Sequence, residues 1–229
     1  MKELHYFPEF DHPKYALELQ AGVPDKAEKL LALIEEAYIH TDELLWTYRR
    51  KGFSRLMEYL VNETDYLMAP ASTKFHGNFP GGLLVHSYAV TKRMQDLKSG
   101  LGIDDYTCSD GSMVFCGLFH DLCKVDYYKN DYATIEDNDG NALKKIYLTA
   151  NDSNPFGYCV DEKYICGFHG PKSVYMLQKY FIMKNWEAAA IMAHMRSFES
   201  KDSSKVFETN QLAWLLHAAD EAATFIDHL

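Results

Sequence analysis

Apolar residues recur three and four positions apart through most of this sequence, and this spacing is typical of amphipathic α-helices. One segment departs from it, where the runs YATIED and ALKKIYLTA flank Asn138, Asp139 and Gly140. Strand-like runs on either side of such a turn favour a β-hairpin. The pattern therefore predicts an all-α helical bundle with one small β-hairpin insertion at about residues 130–165.

The same spacing predicts where the helices begin and end. A capping-box start at Pro24, Asp25 and Glu28 begins the first helix, and a second helix begins at Thr41 and passes through Gly52. The predicted helices cover about residues 25–38, 41–60, 83–98, 113–124, 171–183, 186–195 and 209–227. The predicted loops cover about residues 69–82, 99–111 and 198–205.

Composition narrows the class of protein. The 229 residues are 47% hydrophobic and 24% charged, so the chain can bury a core, and we expect a single domain over residues 1–229. A net charge of −10 argues against a protein that coats nucleic acid or anionic membranes. The sequence has no apolar run of roughly 18 residues and no apolar stretch at its start, and its five cysteines lack CxxC spacing. We therefore expect a cytoplasmic protein with reduced thiols and no membrane partner.

Several ionisable residues interrupt the apolar faces of the predicted helices. They are His86, Asp121 with its neighbour His120, His194 and Asp220, each at helical spacing from apolar residues. A lone histidine or aspartate in such a place is usually a hydrogen-bonded core residue. Four such places in four helices instead favour a shared divalent metal ion, because a cation stabilises buried carboxylates and imidazoles are common metal ligands.

These residues, in this order, resemble the H…HD…D signature of the HD superfamily. They are His86, the dyad His120 and Asp121 in FHDLCK, and Asp220 in LLHAADEA. The loop FHGNFPGGLLVHS is also similar to the segment before the first ligand in HD proteins like bacterial 3′-to-5′ exoribonucleases, and in small bacterial and phage HD hydrolases. The resemblance covers about residues 65–229. It implies an HD-domain helical bundle there, with residues 1–64 as an N-terminal helical extension.

The resemblance also implies a metal centre. Binuclear HD proteins place two further ligands between the dyad and the last aspartate, and His169 and His194 lie in that interval. A loop histidine without a ligand role stays open for His169. The expected centre holds one or two divalent ions, with Mn, Fe, Ni, Co, Zn and Mg all open. Its expected ligands are His86, His120, Asp121 and Asp220 for one ion, and His169 and His194 for a second ion that Asp121 bridges.

Most HD proteins hydrolyse phosphoesters, so the resemblance implies a metal-dependent phosphohydrolase acting on a nucleotide or a similar small phosphorylated substrate through an activated water. Asp121 and Lys124 are its expected catalytic residues, with Lys124 holding a phosphate oxygen. His76 and Lys172 are further candidates for substrate binding, Lys172 because it lies at the start of a predicted helix. An ordinary structural role in a loop or at a helix end stays open for Lys124, His76 and Lys172.

Other readings of the same ligands stay open. Some HD-fold proteins hold two irons with an equivalent ligand set and activate dioxygen, so a di-iron oxygenase acting on a small polar substrate is the alternative enzyme. A binding module that retains metal without chemistry is the third class, and the intact ligand set argues against it. A short single-stranded nucleic-acid end remains open as a substrate, and the sequence also leaves a homo-oligomer open.

Overall fold

Helices make up most of the chain, as the spacing of apolar residues predicts. The architecture comes from a computed structural model, which describes residues 4–136, 140, 142–161, 169–195 and 201–226. The helices are α1 (His12–Gly22), α2 (Ala27–Thr47), α3 (Phe53–Glu63), α4 (Gly82–Gly100), α5 (Asp110–Phe119), α6 (His169–Leu177), α7 (Asn185–Ala193), α8 (Lys201–Thr209) and α9 (Gln211–Phe225). Short 3₁₀ turns cover Pro24–Lys26 and Leu122–Lys124.

Two small antiparallel sheets lie between α5 and α6. The predicted hairpin is confirmed, because β2 (Tyr132–Glu136) pairs with β3 (Ala142–Tyr147). Its predicted turn residues Asn138 and Asp139 lie outside the described residues. A second pair, β1 (Tyr128–Lys129) with β4 (Cys159–Val160), brings the two ends of the insertion together. The sequence did not predict this pair, because two-residue strands are too short to produce a periodic signal.

The insertion is fixed to the N-terminal part of the chain. The buried ring of Tyr147 donates its hydroxyl to the Glu18 carboxylate on α1, and Lys145 Nζ lies 2.6 Å from the same carboxylate. Tyr147 also packs edge-on against Phe156. These contacts assign Tyr147 to packing between the hairpin and α1.

Helix α4 lies at the centre of the bundle, in contact with α2, α5 and α9. Leu83, Val90 and Met94 on its apolar face are almost completely buried. Buried residues of α1 to α3 and of the later helices form one continuous hydrophobic cluster. Within the described ranges, no helix is both long enough and apolar enough to cross a membrane.

The predicted boundary between the first two helices is wrong. Helix α2 continues to Thr47, and the break falls at residues 48–52, where Gly52 has a φ of +105° that glycine adopts without strain. Thr41 and Asp42 are therefore inside α2 and are fully buried. In the sequence, residues 41–43 (Thr, Asp and Glu) resemble a helix start. In the fold, Asp42 instead has a structural role inside α2.

Asp42 holds the N-terminal segment against the bundle. Its carboxylate accepts hydrogen bonds from the backbone N–H groups of His5, Tyr6 and Phe7, at 2.7, 2.7 and 2.9 Å. Hydrogen bonds to a charged acceptor are stronger than neutral ones. The three backbone N–H groups thus stabilise the buried carboxylate of Asp42. The carboxylate in turn satisfies three donors of the N-terminal segment.

Two other predictions about helices are wrong, and one helix was not predicted. The polar run at 198–205 is predicted as a loop, but α8 begins at Lys201, since Val206 and Phe207 pack against the core and stabilise a helix there. The predicted helix at 171–183 ends earlier, at Leu177, and α1 was not predicted at all. Helix α1 has a favourable start, because the Asp11 carboxylate accepts from the backbone N–H of Lys14.

Replacement of Asp42 by alanine should strongly destabilise the protein. Three backbone donors would lose a charged acceptor, so we expect a loss of about 3 kcal/mol or more in the free energy of unfolding, measured by urea titration. Glu43→Gln is the matched control, because this neighbouring side chain is partly exposed and its change should cost less than about 1 kcal/mol. Equal stability of the two variants would contradict this account of Asp42.

Candidate metal centre

Two histidines of the centre follow the last residues of helices. His120 comes directly after α5 and His194 directly after α7, with nearly identical backbone angles (φ −57° and −59°, ψ −37° in both). Their Nδ1 atoms lie 2.9 and 2.6 Å from the carbonyl oxygens of Gly117 and Ile191. A carbonyl only accepts, so each Nδ1 donates, and in the neutral ring the Nε2 lone pair is left free. Both helix ends therefore orient an imidazole with Nε2 available as a ligand.

Asp121 lies at the junction between α5 and the 3₁₀ turn at Leu122–Lys124. The sequence predicts a helix to about residue 124, but α5 ends at Phe119, so Asp121 is not on a helical face as its spacing suggested. The reason is a tertiary hydrogen bond, since the backbone N–H of Cys123 donates to Ser173 Oγ instead of to a helical carbonyl. The prediction that the carboxylate is buried is nevertheless confirmed.

The two carboxylate oxygens of Asp121 face different ligands. Oδ2 lies near one set of nitrogens: Lys124 Nζ at 2.6 Å, His120 Nε2 at 3.5 Å and His86 Nε2 at 3.7 Å. Oδ1 lies near another set: His194 Nε2 at 3.5 Å and His169 Nδ1 at 3.9 Å. Asp121 therefore lies between two pairs of imidazoles, with one oxygen toward each pair.

The last helix contributes the second carboxylate. Asp220 on α9 places Oδ1 3.1 Å from His86 Nε2 and 3.8 Å from His120 Nε2. Helix α9 packs along α4, which carries His86 in its first two turns. The structure thus brings together all six of the residues that the sequence proposes as ligands.

Glycines permit the close helix packing that this convergence needs. A Cβ on Gly117 of α5 would lie 2.4 Å from Thr91 Oγ1 and 3.0 Å from Thr91 Cα on α4. A Cβ on Gly170 of α6 would lie 2.5 Å from the Ile191 carbonyl oxygen on α7. Because no side chain intervenes, α5 approaches α4 near His86, and α6 approaches the end of α7 near His194.

Opposite charges stabilise the buried groups. Burial alone would raise the pKa of Asp121, but the Lys124 ammonium and the neighbouring imidazoles lower that pKa well below its usual range. Burial would lower the pKa of Lys124, and Asp121 raises it instead. Burial would likewise raise the pKa of Asp220, which the neighbouring imidazoles of His86 and His120 lower. Burial lowers the pKa of His120 to about 4, so this ring is neutral at pH 7.

The donor atoms of this centre lack protein partners. No protein hydrogen bond satisfies the following buried atoms: both ring nitrogens of His86, Nε2 of His120 and of His194, Nδ1 of His169, and Oδ1 of Asp121. Buried polar atoms without partners are costly, and one bound ion would satisfy several of them at once. Three groups of donor atoms each lie within 4.8 Å of one another: His86, His120 and Asp121; His120, His194 and Asp220; and Asp121, Cys123 and His169. These buried histidines and aspartates fit a bound metal ion.

A pocket of about 310 Å³ opens onto the centre. Its floor contains Asp121, Asp220 and His194, and its wall contains Lys124 and His76. The exposed rings of Phe75 and Phe225 line its mouth, beside the methionine Met195 and the carboxylate of Glu221. No sequence pattern predicts the two phenylalanines, because their position at a shared pocket depends on the fold.

The remaining candidates have different surroundings. The rings of His76 and His86 are in contact at an interplanar angle of 37°, with their centroids 4.4 Å apart. Burial, together with the nearby His86 and Lys124, lowers the pKa of His76 to about 3. Lys172 Nζ donates to the Cys123 carbonyl at 2.9 Å, and Lys172 does not line the pocket.

Cys123 was missed as a candidate, because the five cysteines lack the CxxC spacing that is typical of metal sites. It is buried, but it shares a donor group with Asp121 and His169. Its position two residues after Asp121 was the available signal.

No protein-family model matches the chain, and no solved structure matches it significantly. The residues and their geometry therefore carry the functional argument.

Replacement of Gly117 by alanine should disturb the centre through packing alone. The new Cβ would overlap Thr91, so we expect a loss of about 1–3 kcal/mol in unfolding free energy, measured by urea titration, and weaker metal binding. Gly100→Ala is the control, because nothing lies within 4 Å of a Cβ there. If both variants were as stable as the wild type, the close approach of α5 to α4 would not be needed.

A divalent metal should stabilise the fold through this centre. Binding to the native state alone stabilises by about 2.7 kcal/mol at a free metal concentration of about 100 Kd, so thermal unfolding with Mn²⁺ or Zn²⁺ should shift upward. Asp121→Asn should abolish the shift. Glu221→Gln should retain it, since this carboxylate lines the same pocket but belongs to none of the donor groups. A shift that survives in Asp121→Asn would place the metal elsewhere.

Proposed function

We propose that this chain is a metal-dependent phosphohydrolase of the HD superfamily, acting on a nucleotide or a similar small phosphoester. One observation carries the proposal: the two oxygens of the buried Asp121 each face a pair of imidazoles, which is what a carboxylate shared by two metal ions requires. The ordered H…HD…D residues support the same assignment.

The ligand set is suited to divalent ions. His86, His120, Asp121 and Asp220 would hold one ion, and His169 and His194 would hold a second ion with Asp121. When bound, such ions supply Lewis-acid activation of water and of a phosphoryl oxygen. The protein supplies fixed and buried ligands, with His120 and His194 oriented by hydrogen bonds from Nδ1 to backbone carbonyls.

Lys124 is suited to bind a phosphate oxygen. Its ammonium lies 2.6 Å from Asp121 Oδ2 and lines the pocket, although the side chain is only 7% exposed. Burial would lower the pKa of Lys124, but Asp121 raises it, so the charge is retained at pH 7. A cation held next to the metal ligands can stabilise the charge that develops on a transferring phosphoryl group.

The charges of the pocket suggest that substrate binding depends on metal. Among the described residues, three carboxylates line it, from Asp121, Asp220 and Glu221, against one ammonium, that of Lys124. A phosphate anion would be repelled by this balance without added positive charge. The bound ions would therefore attract the substrate as well as activate it.

The mouth of the pocket suggests a planar group on the substrate. Phe75 and Phe225 are 79% and 71% exposed there, and large exposed aromatic rings beside a polar floor are suited to stacking on a nucleobase. A pocket of about 310 Å³ is at the small end of the range for small-molecule sites. With a net charge of −10, a nucleotide or a short nucleic-acid end is a better substrate than long nucleic acid.

The proposal predicts metal-dependent hydrolysis. The purified protein with Mn²⁺, assayed without oxygen, should cleave an activated phosphodiester or phosphomonoester, and Asp121→Ala should reduce the rate to background. Lys124→Gln should lower kcat/KM by about 100-fold, because it removes the cation beside the reacting phosphate. Lys92→Gln is the control, since this exposed lysine pairs with Glu36 away from the pocket and its change should leave the rate unaltered.

Two results would contradict the proposal. Equal rates in the wild type and Asp121→Ala would assign the hydrolysis to a contaminant. No hydrolysis, combined with oxygen uptake by the iron-loaded protein that Asp121→Ala lacks, would favour the di-iron oxygenase instead. If the wild type hydrolyses phosphoesters and Asp121→Ala does not, nucleoside monophosphates and ring-free phosphoesters are assayed side by side. The ratio of their rates shows whether the aromatic mouth selects the substrate.

A further inference from the structure

We propose that the Cys123 thiolate is a metal ligand, together with Asp121 and His169, so that one of the two ions is bound through sulfur. The inference rests on the metal centre in the proposed function, but not on hydrolysis. Donor atoms of these three residues lie within 4.8 Å of one another, although no ligand role for a cysteine follows from the H…HD…D pattern.

The backbone of Cys123 is fixed on both sides. Its N–H donates to Ser173 Oγ at 3.0 Å, and its carbonyl accepts from Lys172 Nζ at 2.9 Å. Ser173 and Lys172 both lie on α6, which begins at His169. The segment after Asp121 is therefore tied to the same helix that carries His169, and these bonds hold the thiol and the imidazole together.

The partners of the thiol have unsatisfied atoms aimed at the same place. Asp121 Oδ1 and His169 Nδ1 are buried without a hydrogen-bond partner, and the Asp121 side chain is 2% exposed. Cys123 itself is 2% exposed. A buried carboxylate oxygen, an imidazole nitrogen and a sulfur in one group match the ligand types of zinc, cobalt and iron sites.

The proposed binding step is a simple exchange. The S–H bond of Cys123 breaks, a metal–sulfur bond forms, and the proton goes to solvent, with no change of oxidation state. The two positions would then differ in chemistry. Nitrogen and oxygen ligands from His86, His120 and Asp220 surround one, whereas the sulfur of the other favours softer ions such as Zn²⁺, Co²⁺ or Fe²⁺ over Mg²⁺.

Cobalt substitution tests the inference without an activity assay. The metal-free protein is titrated with Co²⁺ in the absence of oxygen, and two signals are followed: near-ultraviolet charge transfer from thiolate to cobalt, and visible d–d absorption from all bound cobalt. The wild type should show both signals. Cys123→Ser should lose the charge-transfer signal, retain d–d absorption from the other position, and bind the second Co²⁺ about 10-fold or more weakly.

Two controls make the result specific. Cys159→Ser removes an exposed thiol outside the donor groups and should leave both signals unchanged. His169→Ala removes the partner imidazole but keeps the thiol, and it should weaken the charge-transfer signal. It also provides a second test if Cys123→Ser does not fold.

Three outcomes would overturn the inference. They are d–d absorption without charge transfer in the wild type, charge transfer that persists in Cys123→Ser, and no cobalt binding at all. Only the last also removes the metal centre of the proposed function. A protein that shows the thiolate signal but hydrolyses no phosphoester would retain the inference and lose the phosphohydrolase.

Discussion

The buried carboxylate of Asp121 is the constraint on which the rest of the centre depends. A buried charge needs opposite charge and hydrogen-bond donors close by, or it is protonated. In this protein Lys124 and four imidazoles surround it. They come from α4, from the end of α5 and the turn after it, from α6 and from the end of α7. The packing of four chain segments therefore converges on one side chain.

Two of the proposed ligands lie at the ends of helices, where their rings have little conformational freedom. His120 and His194 occupy the same position after their helices and donate from Nδ1 to the carbonyl three residues earlier. A ring fixed in this way loses little entropy when a metal binds, since its orientation is already determined. The centre nevertheless keeps unsatisfied buried donor atoms, and this cost is offset when a ligand arrives. A metal ion at this centre would satisfy these atoms, which protein contacts leave without partners.

The charges that line the pocket make the proposed chemistry dependent on bound metal. In the part of the chain that the structure describes, three carboxylates and one ammonium line the pocket, and the whole chain carries −10, yet the proposed substrate is an anion. Bound divalent ions would resolve this conflict locally, while the aromatic rings of Phe75 and Phe225 offer contacts that do not depend on charge. If Cys123 binds one ion through sulfur, metal identity would also depend on a residue outside the H…HD…D pattern.

The sequence by itself determined the helical class, the hairpin and the six residues that converge. Helical periodicity indicated five of these residues, and the resemblance to HD proteins added His169. It did not determine the helix break at Gly52, the second strand pair or the end of α5 at Phe119, since each depends on contacts between distant segments. Only the tertiary structure decided that Asp42 binds the N-terminal segment and that Cys123 lies beside His169. The spacing of apolar residues indicates which side chains are buried, but not which residue each of them contacts across the core. Only the packing of distant segments determines those contacts.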